Sequence, residues 1–111
     1  MKITLITPAE HTQLLDIFNN FPSLTLQNKG YEGLNKDKFT PEEKTKFDEV
    51  TSLLKKTIVG FSSFQNFRHN KDQEIQLRFQ YDWTAHDRSL GIPFTGVGYI
   101  LLDELLNGFR D

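Results

Sequence analysis

Cysteine is absent from the 111 residues, which excludes a disulfide framework, a thiolate metal site and a cysteine nucleophile. A chain without such staples must rest on an apolar core, and this length suffices for one packed domain spanning 1–111. An excess of charge of either sign is also lacking. Thirteen Lys and Arg against fifteen Asp and Glu give a formal net charge of -2, too balanced for the broad cationic footprint of a nucleic-acid binder. No apolar run is long enough to cross a bilayer. The opening MKITLITPAE holds one lysine and a short apolar run broken by Thr4, Thr7 and Pro8, unlike a signal peptide. The expected location is therefore the cytoplasm, with neither membrane nor nucleic acid as partner.

Motifs that dictate a chemistry are missing too. GVGYILLDELL lacks the third glycine of a dinucleotide fingerprint and the lysine of a P-loop, and there is no serine elbow or kinase signature. His11, His69 and His86 fall on separate stretches, so nothing in their spacing brings two imidazoles around one phosphate. NKDQE and NKDK share only composition with metal-binding loops. No catalytic residue, metal or cofactor is expected.

What is present is apolar material in ordered patterns: 37% hydrophobic residues with ten phenylalanines, enough to exclude a disordered chain. Two stretches begin alike. In TPAEHTQLLDIFNNF, Thr7 can cap, Pro8 suits the first helical position and Glu10 completes a capping box; TPEEKTKFDEVTSLLKK repeats this with Thr40, Pro41 and Glu43. Leu14, Ile17, Phe18 and Phe21 share one helical face, as do Phe47, Val50 and Leu54. Helices are expected over about 8–20 and 41–56. KITLIT favours a strand, and Leu24 to Leu26 is a short possible one. In TIVGFSSFQNFRHN, Phe61, Phe64 and Phe67 recur every three positions, which a strand accommodates with a bulge near Ser62 and Ser63. EIQLRFQYDW alternates strictly, with Ile75, Leu77, Phe79, Tyr81 and Trp83 on one face. These two runs predict an antiparallel hairpin over about 58–68 and 74–83. IPFTGVGYILLDELLNGFRD could be strand or helix at Val97 to Leu102; its length, Asp103, Glu104 and a terminal stop at Gly108 favour a helix over about 95–107. The expected fold is α+β: an antiparallel sheet packed against about three helices.

The other face of the alternating strand, Gln76, Arg78, Gln80 and Asp82, is expected to be wet and runs directly into Trp83, His86, Asp87 and Arg88. Mixed polar groups on a rigid strand beside an aromatic and an arginine are what protein recognition uses, since Trp and Arg supply energy and the polar rim supplies register. The alternative is an ordinary solvated face. The loop with Gly30, Tyr31, Glu32 and Gly33 is a further candidate surface, because long loops in compact domains are often functional.

In size, cysteine-free composition, slight acidity and mixed α/β pattern, the chain resembles the immunity proteins that neutralise toxins in bacterial competition. The resemblance lies in general character and transfers no individual residue. It implies a non-enzymatic module that binds a toxin domain, often a nuclease, and occludes it. Two other readings are open: a small hydrolase or nuclease using His86 and Asp87 with Arg88 or Glu32, and a regulatory subunit that dimerises through a sheet edge or YILLDELLNGF, so that monomer and homodimer are both allowed.

Overall fold

The computed structural model describes residues 2–24, 39–82 and 95–109. Their order is α1 (Pro8–Asn20), a 3-10 turn (Pro22–Leu24), α2 (Pro41–Thr57), β1 (Phe61–His69), β2 (Ile75–Asp82), β3 (Thr95–Leu101) and α3 (Leu102–Asn107). Both expected capping boxes are formed. Thr7 Oγ1 accepts from the Glu10 amide at 3.1 Å while Glu10 Oε1 accepts from the Thr7 amide at 2.9 Å. Thr40 and Glu43 do the same at 3.2 and 2.8 Å. Each box satisfies two amide donors that a helix start leaves without an internal partner.

The sheet is antiparallel in the order β1-β2-β3, so the fold class is α+β as expected. Between β1 and β2 the chain turns at Asn70, whose Oδ1 accepts from the amides of Asp72 and Glu74, both at 2.9 Å. The register of the β1–β2 pair shifts twice, between Phe61 and Ser63 and again between Phe64 and Asn66. Each extra residue turns a period of two into a step of three, which keeps Phe61, Phe64 and Phe67 on the same side. Only the first shift was expected from the sequence.

Three expectations are corrected. Residues 95–101 are strand, and the last helix begins only at Leu102. The reason lies at Gly98. A Cβ built there would stand 2.9 Å from Phe79 Cε2 and Cζ and from Tyr81 Cε1, so the glycine makes room for two rings of the neighbouring strand. The expected stop at Gly108 is present, with its amide donating to the Glu104 carbonyl at 2.8 Å and a φ of 91°. Second, KITLIT pairs only through a single bridge between Ile3 and Ile58. The chain after Ile58 turns at once through Gly60, with a φ of 77°, and the Ile6 amide donates to the Leu105 carbonyl of α3 at 2.9 Å. Third, Leu24 closes the 3-10 turn and is fully buried; residues 25 and 26 lie outside the described residues.

The core sits between the helices and one face of the sheet. Leu14, Ile17 and Phe18 of α1, Phe47, Val50 and Leu54 of α2, and Leu102 and Leu105 of α3 join Phe64, Phe67, Leu77, Phe79 and Ile100 in one cluster. Two polar links tie the helices at the surface. His11 Nε2 stands 2.9 Å from Asp103 Oδ1, joining α1 to α3, and Lys56 Nζ is 2.8 Å from Glu10 Oε2, joining α2 to the start of α1.

Two outcomes follow from this packing. Gly98→Ala should lower stability by about 1–3 kcal/mol, the usual cost of overfilling a packed site, as read by chemical denaturation. The Glu10 carboxyl is held below its ordinary value of 4.5, first by its hydrogen bond to Lys56 and next by the Thr7 amide. A carboxylate with a lowered folded value contributes stability above its unfolded value and loses it as pH falls through the folded one. The advantage of the wild-type chain over Glu10→Gln, which keeps the box but not the charge, should therefore shrink as pH drops below 4.5; denaturation midpoints for both chains across that range check this.

Candidate functional site

Because the helices occupy one side of the sheet, the functional question concerns the other. Successive strand residues point to opposite faces, so the residues paired across the outer face are Ser63, Asn66 and Arg68 on β1, Gln76, Arg78, Gln80 and Asp82 on β2, and Val97, Tyr99 and Leu101 on β3. The expected row on β2 is thus on the predicted face. It is not a freely wet row, however. Arg78 is only 6% exposed, and Gln76, Gln80 and Asp82 are half-buried. β2 is the central strand of the sheet, with β3, expected as helix, flanking it on the second side.

The polar side chains of this face are organised by cross-strand contacts. Ser63 Oγ donates to Gln80 Oε1 at 3.2 Å, and Arg68 Nε donates to Gln76 Oε1 at 2.7 Å. The Arg68 guanidinium also lies 5.8 Å from the centre of the Tyr99 ring, a cation–π distance. Arg68 therefore reaches across β2 and links both edge strands. Arg78 and Asp82 each make interactions of their own. Tyr99 is 44% and Val97 38% exposed, so the face offers an aromatic ring and an aliphatic side chain beside an exposed arginine.

Asn66 stands apart from this ordered set. It pairs with Arg78 in the register, is 1% exposed, and neither amide atom of its side chain has a hydrogen-bond partner among the described residues. A buried amide without partners is costly and calls for an explanation outside packing. Sequence reasoning did not place Arg68, Val97, Tyr99 or Asn66 among the protein-contact residues. The alternation of Val97, Tyr99 and Leu101 was the available signal for the first exposed pair on β3; nothing in the sequence marked Asn66, because its burial depends on the second register shift.

Six other expected site residues, Trp83, His86, Asp87, Arg88, Tyr31 and Glu32, lie outside the described residues. His11 sits on α1 against Asp103, and His69 ends β1, exposed; the two serve different elements. Among the described residues no group of three or more His, Cys, Asp or Glu could hold a metal, and no helix is long and apolar enough to cross a membrane. A shallow groove between α1 and α2, about 470 Å³, is lined by Gln13, Thr45, Asp48, Glu49, Ser52 and Lys56 among others. It is open, and among its lining side chains only Leu53 is buried and apolar. No family model, no curated protein and no solved structure matches the chain.

Asn66→Val removes the partnerless amide and suits a strand. It should raise stability by about 1 kcal/mol or more, measured as a shift in the denaturation midpoint. A loss of stability would mean that the amide is satisfied in the folded chain.

Proposed function

We propose that the chain is a non-enzymatic protein-binding module, an inhibitor of the immunity type that binds a bacterial toxin domain and blocks it. The observation that carries this reading is the exposed Arg68–Tyr99 pair, held on a rigid sheet whose opposite face packs into the core. Tyrosine and arginine dominate the energetics of protein interfaces, and placing them on strands fixes them at low entropic cost. Val97 adds apolar area beside the ring, while Gln76, Gln80 and Ser63 supply polar register from the neighbouring strands. Trp83, His86, Asp87 and Arg88, which follow β2 in the sequence, and Tyr31 and Glu32 complete the proposed contact set.

The charge on the described part of the face, two arginines against Asp82, speaks to the manner of inhibition. A decoy for nucleic acid in a nuclease active site would present carboxylates. This face suits steric or exosite blockade of an acidic or neutral surface instead. The proposed cytoplasmic location agrees with a role in protecting the producing cell.

The test is affinity isolation from the native cell with the wild-type chain and with the Arg68→Ala/Tyr99→Ala variant, followed by expression of the captured protein in a bacterial host. Expected is one stoichiometric partner whose toxicity is relieved by the wild-type chain, with binding weakened by about 2 kcal/mol or more, roughly thirtyfold, in the variant. Capture that is indifferent to the double substitution, or a captured protein whose activity the chain leaves untouched, would overturn the reading.

A further inference from the structure

The two edges of the sheet are built differently. β1 carries both register shifts and ends in Arg68 and His69, and bulges and charges are the devices by which natural sheets discourage edge pairing. β3, Thr-Gly-Val-Gly-Tyr-Ile-Leu, has neither charge nor proline, and its register against β2 runs unbroken from Thr95 to Leu101. Among the described residues no strand lies along its far side.

The direction of its backbone groups follows from two hydrogen bonds. The Asp82 amide donates to the Gly60 carbonyl on the β1 side at 2.8 Å, so even-numbered residues of β2 serve β1 and odd-numbered ones serve β3. The β3 partners of those odd residues are Gly96, Gly98 and Ile100, which leaves the amides and carbonyls of Val97 and Tyr99 facing outward. Leu101 agrees with this parity, its amide donating to Glu104 Oε1 at 2.9 Å instead of to β2. Two of the residues with outward backbone groups, Val97 and Tyr99, are also the ones whose side chains are the exposed hydrophobics of the strand.

We propose that a second copy of this chain pairs along β3, antiparallel and centred on Gly98, joining the two sheets into one across a twofold axis. The strand is complementary to itself in that register. Val97 faces Tyr99 of the second copy and Tyr99 faces its Val97, giving two aromatic–β-branched pairs of the kind that stabilise sheets. Both are hydrogen-bonded pairs, and Gly98 meets Gly98 at the closely spaced position between them, where glycine suits the short approach. No like charges are opposed, and a net charge of -2 per chain adds little repulsion. The outer faces of the two copies lie on the same side, so the Arg68–Tyr99 pairs would stand side by side. The inference goes beyond the inhibitor reading and is read on the chain alone, so either can fail without the other.

Sedimentation velocity of the purified chain over a micromolar concentration series should show a reversible monomer–dimer equilibrium. Val97→Pro removes one outward donor and crowds the edge, yet its missing amide faces away from β2, the condition under which an edge strand tolerates proline. It should weaken the dimer roughly tenfold or more, with far-UV circular dichroism unchanged. A second measurement does not depend on that variant folding. Since the chain has no cysteine, an equimolar mixture of Val97→Cys and Tyr99→Cys chains has thiols only at the paired positions, whose spacing of about 5.5 Å permits a disulfide. Mild oxidation should give the mixed 97–99 link in preference to 97–97 or 99–99 links. A wild-type chain that stays monomeric throughout, Val97→Pro dimers as tight as wild type, or links without preference would each overturn the proposal.

Discussion

Four phenylalanine rings hold the molecule's layers together. Phe18 of α1 lies 4.4 Å from Phe67 and 6.2 Å from Phe64, ring centre to ring centre, and Phe47 of α2 lies 5.2 Å from Phe64. Tilted rings at these separations attract one another in addition to the area they bury. Through them both long helices meet β1 on one face of the sheet. The division of the sheet into a committed face and an available one follows directly. If these rings were spread over both faces, Arg68 and Tyr99 would have no open surface to share.

The committed face also fixes where polar groups can go. Phe64 and Phe67 are both turned inward, which obliges the chain between them to hold an extra residue, and Asn66 emerges on the outer side next to Arg78. Two buried polar side chains are thus placed opposite each other in the register, with Arg68 crossing from Gln76 to Tyr99 on the same face. The outer face has a buried polar centre and an exposed rim that is partly apolar, the reverse of the usual interface patch. Recognition by such a face would rely on the rim for energy and on the centre for shape.

Much of this was legible in the chain and some was not, for definable reasons. Helix starts could be read because a capping box is local: Thr7 with Glu10, and Thr40 with Glu43, act within four residues. The hairpin could be read because Ile75 to Tyr81 alternate strictly. β3 was harder, since VGYILLDELL is apolar enough for either element and the deciding fact, the space that Gly98 leaves for Phe79 and Tyr81, is a contact across strands. The burial of Arg78 was not legible either, because alternation assigns a residue to a face and does not say how far its neighbours cover it. The candidate site was half visible, its β2 row by alternation, whereas Arg68 belongs to it only through its contacts with Gln76 and Tyr99.

The kinked course of β1 bears on how far such sheets can extend. A strand with two irregular positions presents backbone groups that fall out of step with any straight neighbour, so hydrogen bonding along that border stalls after a few residues. A molecule with one smooth border and one crimped border can add a single neighbour and then has nothing left to offer. Ribbon growth without limit, the hazard of flat uncharged strands, is closed off by the same phenylalanine spacing that builds the interior.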